Sequence, residues 1–223
     1  MAISDQQCDS TSKSRRVPEK WLSEGHELVR IVLGDDYISV QEVETAYCVS
    51  YTDEQLKHFA DTFPDIETIL LYRSEGFLLM PKPWMEMNLL QIGKLDNNLF
   101  YPDSLWWNDK KFVQDDMVKA IEWLVILKEA VPNSFSKTWN EQQRLLTEVE
   151  YVPNAAEVSY AVITYYKTRG VYLLAKYVVR SSSFFKEGLP VSVGYFLGTG
   201  TLNVGYLCAD HLSSIGGVSS ARK

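Results

Sequence analysis

The stretch that most limits the fold runs from Tyr151 to Gly198, because it writes out a helix and then strands with their punctuation included. Pro153 stands just outside the helix. Asn154 is placed to accept from the free N–H groups of a first turn, and Glu157, three residues on, to bond back to the cap. Val158, Ala161, Val162 and Tyr165 recur at spacings of three and four and give one apolar face. Arg169 suits the carbonyl end of the helix, and Gly170 can adopt the left-handed conformation that stops it. Beyond it the period falls to two. Val171, Leu173, Ala175, Tyr177 and Val179 line one face of an expected strand, and Tyr172, Leu174, Lys176, Val178 and Arg180 the other. Leu189–Gly198 and Thr201–Cys208 follow across short glycine-containing connections, so an antiparallel meander is the simplest topology.

Upstream, Trp21–Leu33 is compatible with a helix ended by Gly34. Ser39 with Glu42, and Thr52 with Gln55, are capping-box patterns that predict a helix pair over 39–63, stopped by Pro64. Ile69–Tyr72 and Phe77–Met80 flank Arg73-Ser-Glu-Gly76 and read as a β-hairpin. Trp84–Ile92 reads as a short amphipathic helix, Leu99–Tyr101 as a short strand, and 102–118 as a polar loop region around Trp106 and Trp107. Ile121–Leu127 has the composition of a central strand buried on both faces, and Thr138 with Glu141 caps a further helix. The end, from Ile215, is small and polar, with Gly216-Gly217 as a flexible connection.

The class expected is α+β: an N-terminal helical hairpin followed by a mostly antiparallel sheet with helices packed on it. The expected divisions are a disordered tail over 1–17, a helical subdomain over 18–65, and an α+β domain over 66–223 that ends in the meander.

Composition narrows the class of function. Apolar residues make up 46% of the 223, too many for a disordered chain. The net charge of −7 argues against a general binder of nucleic acid or anionic membrane. No apolar run approaches the ~18 residues of a membrane span. The charge is uneven: residues 35–67 carry nine acids and one base, and residues 151–223 seven bases and three acids. Two solvated faces of opposite sign explain this. The sharper alternatives are that the two segments face each other, or that the acidic one recruits a basic partner. Cys8, Cys48 and Cys208 form neither a disulfide framework nor a zinc motif, so a reduced, cytoplasmic setting is expected.

Residues Thr138 to Val158, the run YVVRSSS and the closing GVSSARK resemble a family of uncharacterised bacterial proteins. That family shows W-x-E-Q…E-Y-V-P-x-A, an aromatic-rich meander with R-[ST]-S, and a terminal S-A-R-K. The matching residues here are Trp139, Glu141, Gln142, Glu150, Tyr151, Val152, Pro153, Ala155, Arg180, Ser181, Ser182 and Ser220 to Lys223. The likeness spans roughly residues 39–223 and is strongest over 136–223. Lys186-Glu187-Gly188 departs from the Asp-Gly turn of the relatives. The resemblance implies a bacterial protein and carries over no activity and no catalytic residue.

The residues give no catalytic, metal or cofactor motif. His58 lies beside Phe59 on an amphipathic helix and reads as an exposed helix residue. Asp210, His211, Ser213 and Ser214 hold the residue types of a hydrolytic triad, but a triad needs convergence in space that close neighbours rarely achieve. Gly198-Thr-Gly200 lacks the lysine and following helix of a P-loop and reads as a turn. Asp35-Asp36 and Asp115-Asp116 have no histidine at ligand spacing.

The aromatic residues are the more informative excess, with six Trp, thirteen Tyr and nine Phe. Most belong in a core. Trp106 and Trp107 fall in a polar loop, Trp139 starts a polar helix, and Tyr166 cannot share the core face of Tyr165. A groove built from Trp106, Trp107, Trp139 and Tyr166 with Arg180 would stack a flat ligand or hold a peptide. Plain packing of the helix on the sheet competes with this.

Three readings follow, in order: a non-catalytic module binding a protein or small molecule, an enzyme of hydrolase type with a site assembled from separate elements, and a DNA-associated accessory factor. The helix pair 39–63 also resembles a helix-turn-helix, but its acidic charge should repel phosphates. The full chain should therefore show no binding to duplex DNA through this pair. A salt-sensitive mobility shift that is lost on mutating residues 39–63 would contradict that.

Overall fold

The computed structural model describes residues 24–96, 98–99, 106–196 and 200–223. The tail expected over 1–17 lies outside the described residues, as do Trp21, most of the strand expected at Leu99–Tyr101 and most of the Gly198–Gly200 turn.

Local capping chemistry sets the helices of the first half. Helix α1 (Glu24–Leu33) ends at Gly34, whose φ of +59° turns the chain into a short 3-10 segment, Gly34–Asp36. Helices α2 (Val40–Tyr47) and α3 (Asp53–Asp61) both begin with the complete capping boxes read from the sequence. Helix α2 packs chiefly on other elements described below rather than on α3, so the two do not form a self-contained hairpin.

The hairpin expected around Arg73 is a helix instead. Helix α4 (Ile66–Glu75) starts where Asp65 accepts from the Thr68 N–H and stops at Gly76 in the left-handed region. A continuous run such as Ile69-Leu-Leu-Tyr72 carries no period, and only Ile69 and Tyr72 of it turn inward. Strand β1 (Phe77–Pro81) follows. The helix expected over Trp84–Ile92 is reduced to strand β2 (Met87–Asn88) and helix α5 (Leu89–Gly93), the latter boxed by Asn88 and Gln91. The loop region near Trp106 contains helix α6 (Lys111–Asp115) and strand β3 (Met117–Val118). Strand β4 (Trp123–Leu127) is central, as expected, and helix α7 (Trp139–Gln143) carries the Thr138–Glu141 box.

After strand β5 (Glu150–Tyr151) comes helix α8 (Ala155–Arg169), with the Asn154–Glu157 box and the Gly170 stop read from the sequence. Its environment differs from the amphipathic expectation, because every residue from Ala155 to Tyr165 is buried. Helix α8 runs through the interior, with α2 and α5 against it on some sides. The strand expected from Val171 begins only at Val178, as β6 (Val178–Lys186). It continues into β7 (Leu189–Phe196) and β8 (Leu202–Tyr206), and α8 packs against β6 and β7. The antiparallel order of these three strands is the expected meander.

The end of the chain departs most from expectation. It forms strands β9 (Gly216–Val218) and β10 (Ala221–Arg222), and it is buried from Gly216 to Ala221. Strand β9 pairs parallel with β6 and completes a sheet of order β8-β7-β6-β9. Strand β10 inserts between β4 and β5 in an antiparallel sheet of order β1-β4-β10-β5. A two-stranded ribbon, β2-β3, stands beside them. The fold is α+β with mainly antiparallel sheets.

Gly216-Gly217 is thus a strand, not a flexible connection, and its glycines are needed for space. A Cβ on Gly217 would lie 2.5 Å from Ala130 Cβ and 2.9 Å from Ser134 Oγ. Gly217→Ala should lower stability by about 1–3 kcal/mol through overpacking. Gly205→Ala, whose Cβ would meet nothing nearer than Ser192 Oγ at 3.6 Å, should change it by less than about 1 kcal/mol. Urea unfolding of the two variants checks this, and equal costs would contradict the strand assignment.

Candidate functional site

The residues singled out in the sequence fall in different places. Trp106 is half-buried, sits edge-on to Phe185 and Tyr206, and donates from Nε1 to the Val204 carbonyl at 2.9 Å. Trp107 is buried in the main core. Trp139 is buried edge-on to Phe184, in a separate small cluster with Val131 and Val218. Tyr166 stacks on Tyr172 with centroids 4.3 Å apart. Among the described residues no ring contact joins Trp106, Trp139 and Tyr166 to one another.

Arg180 has no exposed surface at all. Its Nη1 donates to the Lys137 carbonyl at 3.1 Å and Gln142 Oε1 at 2.8 Å, and its Nη2 to the carbonyls of Cys208 and His211 at 2.9 and 2.7 Å. Burial lowers its pKa. Its four acceptors are protein groups that hold α7 and the 208–211 turn to β6, so Arg180 is a structural anchor.

A different set of side chains surrounds space. Helix α1 places His26, Glu27, Arg30 and Ile31 along one stripe, with His26 and Arg30 one turn apart. The turn at Gly34 brings Tyr37 back beneath them, and the Ile38 N–H fixes this return by donating to the Leu79 carbonyl of β1 at 2.9 Å. Ser39, Val40 and Gln41 at the start of α2, and Leu56, Phe59 and Ala60 from α3, complete a cavity of about 420 Å³.

The Tyr37 ring is 1% exposed, and its hydroxyl lies 2.5 Å from His26 Nδ1. Phe63 packs on the His26 ring with centroids 4.4 Å apart. Burial raises the pKa of the Tyr37 hydroxyl. Burial, and then the charge of Arg30, lower that of His26.

Beside the cavity, Glu42 of α2 ties α1 and α8 to its own helix. Arg30 grips it with two prongs, at 3.1 and 2.6 Å, and Arg169 from the end of α8 reaches it at 2.8 Å. Both arginines also donate to the Tyr37 carbonyl, at 3.1 and 2.6 Å. At this point the acidic and basic segments of the chain do face each other. Burial alone would raise the Glu42 pKa, but hydrogen bonds from Arg30, Arg169 and Ser39 outweigh it and hold the carboxyl at about 2. Sequence reading passed over His26, Arg30 and Tyr37. The only signal available was the four-residue spacing of His26 and Arg30, because Tyr37 meets them through a turn.

Other clusters are accounted for within the fold. Asp36 is buried against Lys128 at 2.7 Å, with Arg73 at 3.7 Å. Lys82 is buried between Glu122 at 2.8 Å and Glu157 at 3.6 Å. Among the described residues no three His, Cys, Asp or Glu side chains are grouped to hold a metal ion, and no helix is long and apolar enough to cross a membrane. Cys208 is free and exposed, whereas Cys48 is disulfide-bonded, against the expectation of reduced thiols.

No protein family, curated protein or solved structure matches the chain.

The depressed pKa of Glu42 gives a pH prediction. Its folded value of about 2 lies below the ordinary 4.5, so its contribution is complete above about pH 4.5 and is lost as the pH falls through about 2. The stability gap between the wild type and Glu42→Gln should be constant from pH 7 to about 5, then shrink steadily on further acidification. Urea midpoints of both proteins across this range measure it. A gap that does not change with pH would show that the charge is not what matters.

Proposed function

We propose that this protein is a non-catalytic binding protein that takes a small ligand in the cavity between α1, α2 and α3. The observation that carries the reading is the cavity itself. It has about 420 Å³ of space, accessible aliphatic surface from Ile31, Leu56 and Ala60, and polar groups from His26, Glu27, Arg30, Ser39 and Gln41. Ligand sites have this character, and the size falls near the lower end of their range.

The two other readings have less support. For a hydrolase, His211 is exposed and its carbonyl serves Arg180, while Ser213 Oγ accepts from the Ile215 N–H, so this run builds a turn. For a DNA-associated factor, the basic C-terminal segment spends Arg169 on Glu42, Arg222 on Glu75, Lys167 on Asp96 and Arg180 on backbone carbonyls, so of its seven bases Lys176, Lys186 and Lys223 are left to face phosphates. The likeness to a bacterial family is part of the reading and adds no activity. A cytoplasmic setting rests on the sparse, scattered cysteines, and the Cys48 disulfide counts against it.

The test uses two neutral one-ring probes, acetophenone and ethylbenzene, followed by ligand-observed NMR. The wild-type protein should bind at least one of them. Ala60→Trp, which adds an indole at the cavity wall, should abolish that binding without lowering the melting temperature. Binding of neither probe, or binding unchanged in Ala60→Trp, overturns the proposal.

A further inference from the structure

The chemistry of the cavity wall restricts the ligand further, on the reading that the cavity is a binding site. Charge comes first. Arg30 is the cation among the lining residues, and its guanidinium is held by Glu42 through both nitrogens and lies 5.1 Å from the centroid of the Tyr37 ring. Its charge is therefore matched inside the protein. Glu27, exposed at the edge, adds a negative charge. An anionic ligand would lose hydration here without gaining an unpaired cation.

Hydrogen bonding comes next. Among the described residues, the partner of the buried Tyr37 hydroxyl is His26 Nδ1. A buried hydroxyl proton without an acceptor is unfavourable, so the satisfied arrangement has Tyr37 donating and Nδ1 accepting. That choice fixes the tautomer, because a neutral imidazole with Nδ1 as acceptor carries its proton on Nε2. His26 lines the cavity, and among the described residues no protein group accepts from Nε2. The wall therefore presents one fixed N–H donor beside aliphatic surface.

We infer that the cavity takes a neutral, largely apolar molecule bearing a hydrogen-bond acceptor such as a carbonyl, with the acceptor on His26 Nε2–H and the apolar part against Ile31, Leu56 and Ala60. Ile31, Leu56 and Ala60 are the apolar lining residues with accessible surface, whereas Tyr37 and Phe59 are buried behind them.

Dissociation constants for acetophenone, ethylbenzene and benzoate, measured on the wild type and on His26→Phe, test this. Acetophenone should bind the wild type about three- to tenfold more tightly than ethylbenzene, the increment of one hydrogen bond. Benzoate should bind more weakly than acetophenone. His26→Phe keeps the ring and removes the donor, so acetophenone should fall to the level of ethylbenzene while ethylbenzene is unchanged. On the wild type, acetophenone should also shift the Nε2 ¹⁵N resonance of His26, a readout that holds whether or not the variant folds.

Equal binding of acetophenone and ethylbenzene, tighter binding of benzoate, or an unmoved Nε2 resonance with acetophenone bound would overturn the ligand class while leaving the cavity as a binding site. Failure of both acetophenone and ethylbenzene to bind the wild type would overturn the ligand class and the proposed binding site together.

Discussion

The fold depends on burying residues 216–221. Strand β9 closes one four-stranded sheet and β10 lies inside the other, so a few residues join the two sheets. Small side chains make this possible. Gly216 and Gly217 admit the Leu207, Ser213, Ala130 and Ser134 side chains at distances that a Cβ would forbid. The polar backbone this buries must be paired. The Leu127 N–H donates to the Ser220 carbonyl at 2.9 Å, the Val131 N–H to the Val218 carbonyl at 3.0 Å, and Gln142 Nε2 to the Gly216 carbonyl at 3.0 Å. Arg180 then fixes Gln142 from the other side. Desolvating a guanidinium costs several kcal/mol, and its four charge-assisted hydrogen bonds, each worth about 1.5–3 kcal/mol, are of the size needed to offset that.

The same framework sets the shape of the cavity. Strand β4 aligns β1, and β1 receives the Ile38 N–H, which holds Tyr37 at the cavity floor. From the opposite direction, α8 is held by packing along its buried length and carries Arg169 at its end to Glu42 and the Tyr37 carbonyl. The α3 wall is tied in through Trp123 of β4, which donates from Nε1 to the Phe59 carbonyl at 3.0 Å. A wall fixed from several sides costs little further ordering when a ligand enters, which favours binding.

What could be read in the sequence was what local chemistry decides. The boxes at Ser39, Thr52, Thr138 and Asn154 and the stops at Gly34 and Gly170 all stand in the structure, because a cap and its partner lie three residues apart. Long-range pairing hid the rest. Residues Val171 to Tyr177 alternate like a strand but have no ladder to join, and Leu174 takes a φ of +55°. Residues 216–222 look like a polar tail until β4, β5 and β6 are in place to receive them. The cavity was hidden for the same reason, since the contact between His26 and Tyr37 spans eleven positions and a left-handed glycine.

The motifs behind the family resemblance converge on this architecture and not on the cavity. Gln142 of W-x-E-Q holds Arg180 of R-[ST]-S and the Gly216 carbonyl. Glu150 and Tyr151 of E-Y-V-P pair with Arg222 and Ala221 of S-A-R-K, and Ser220 Oγ donates to Glu150 Oε1 at 3.0 Å. These residues let 216–222 join two sheets, a demand set by the backbone. A likeness built on them describes how the chain folds. The proposed ligand site rests on His26, Tyr37 and the helices around them, where those motifs have no member.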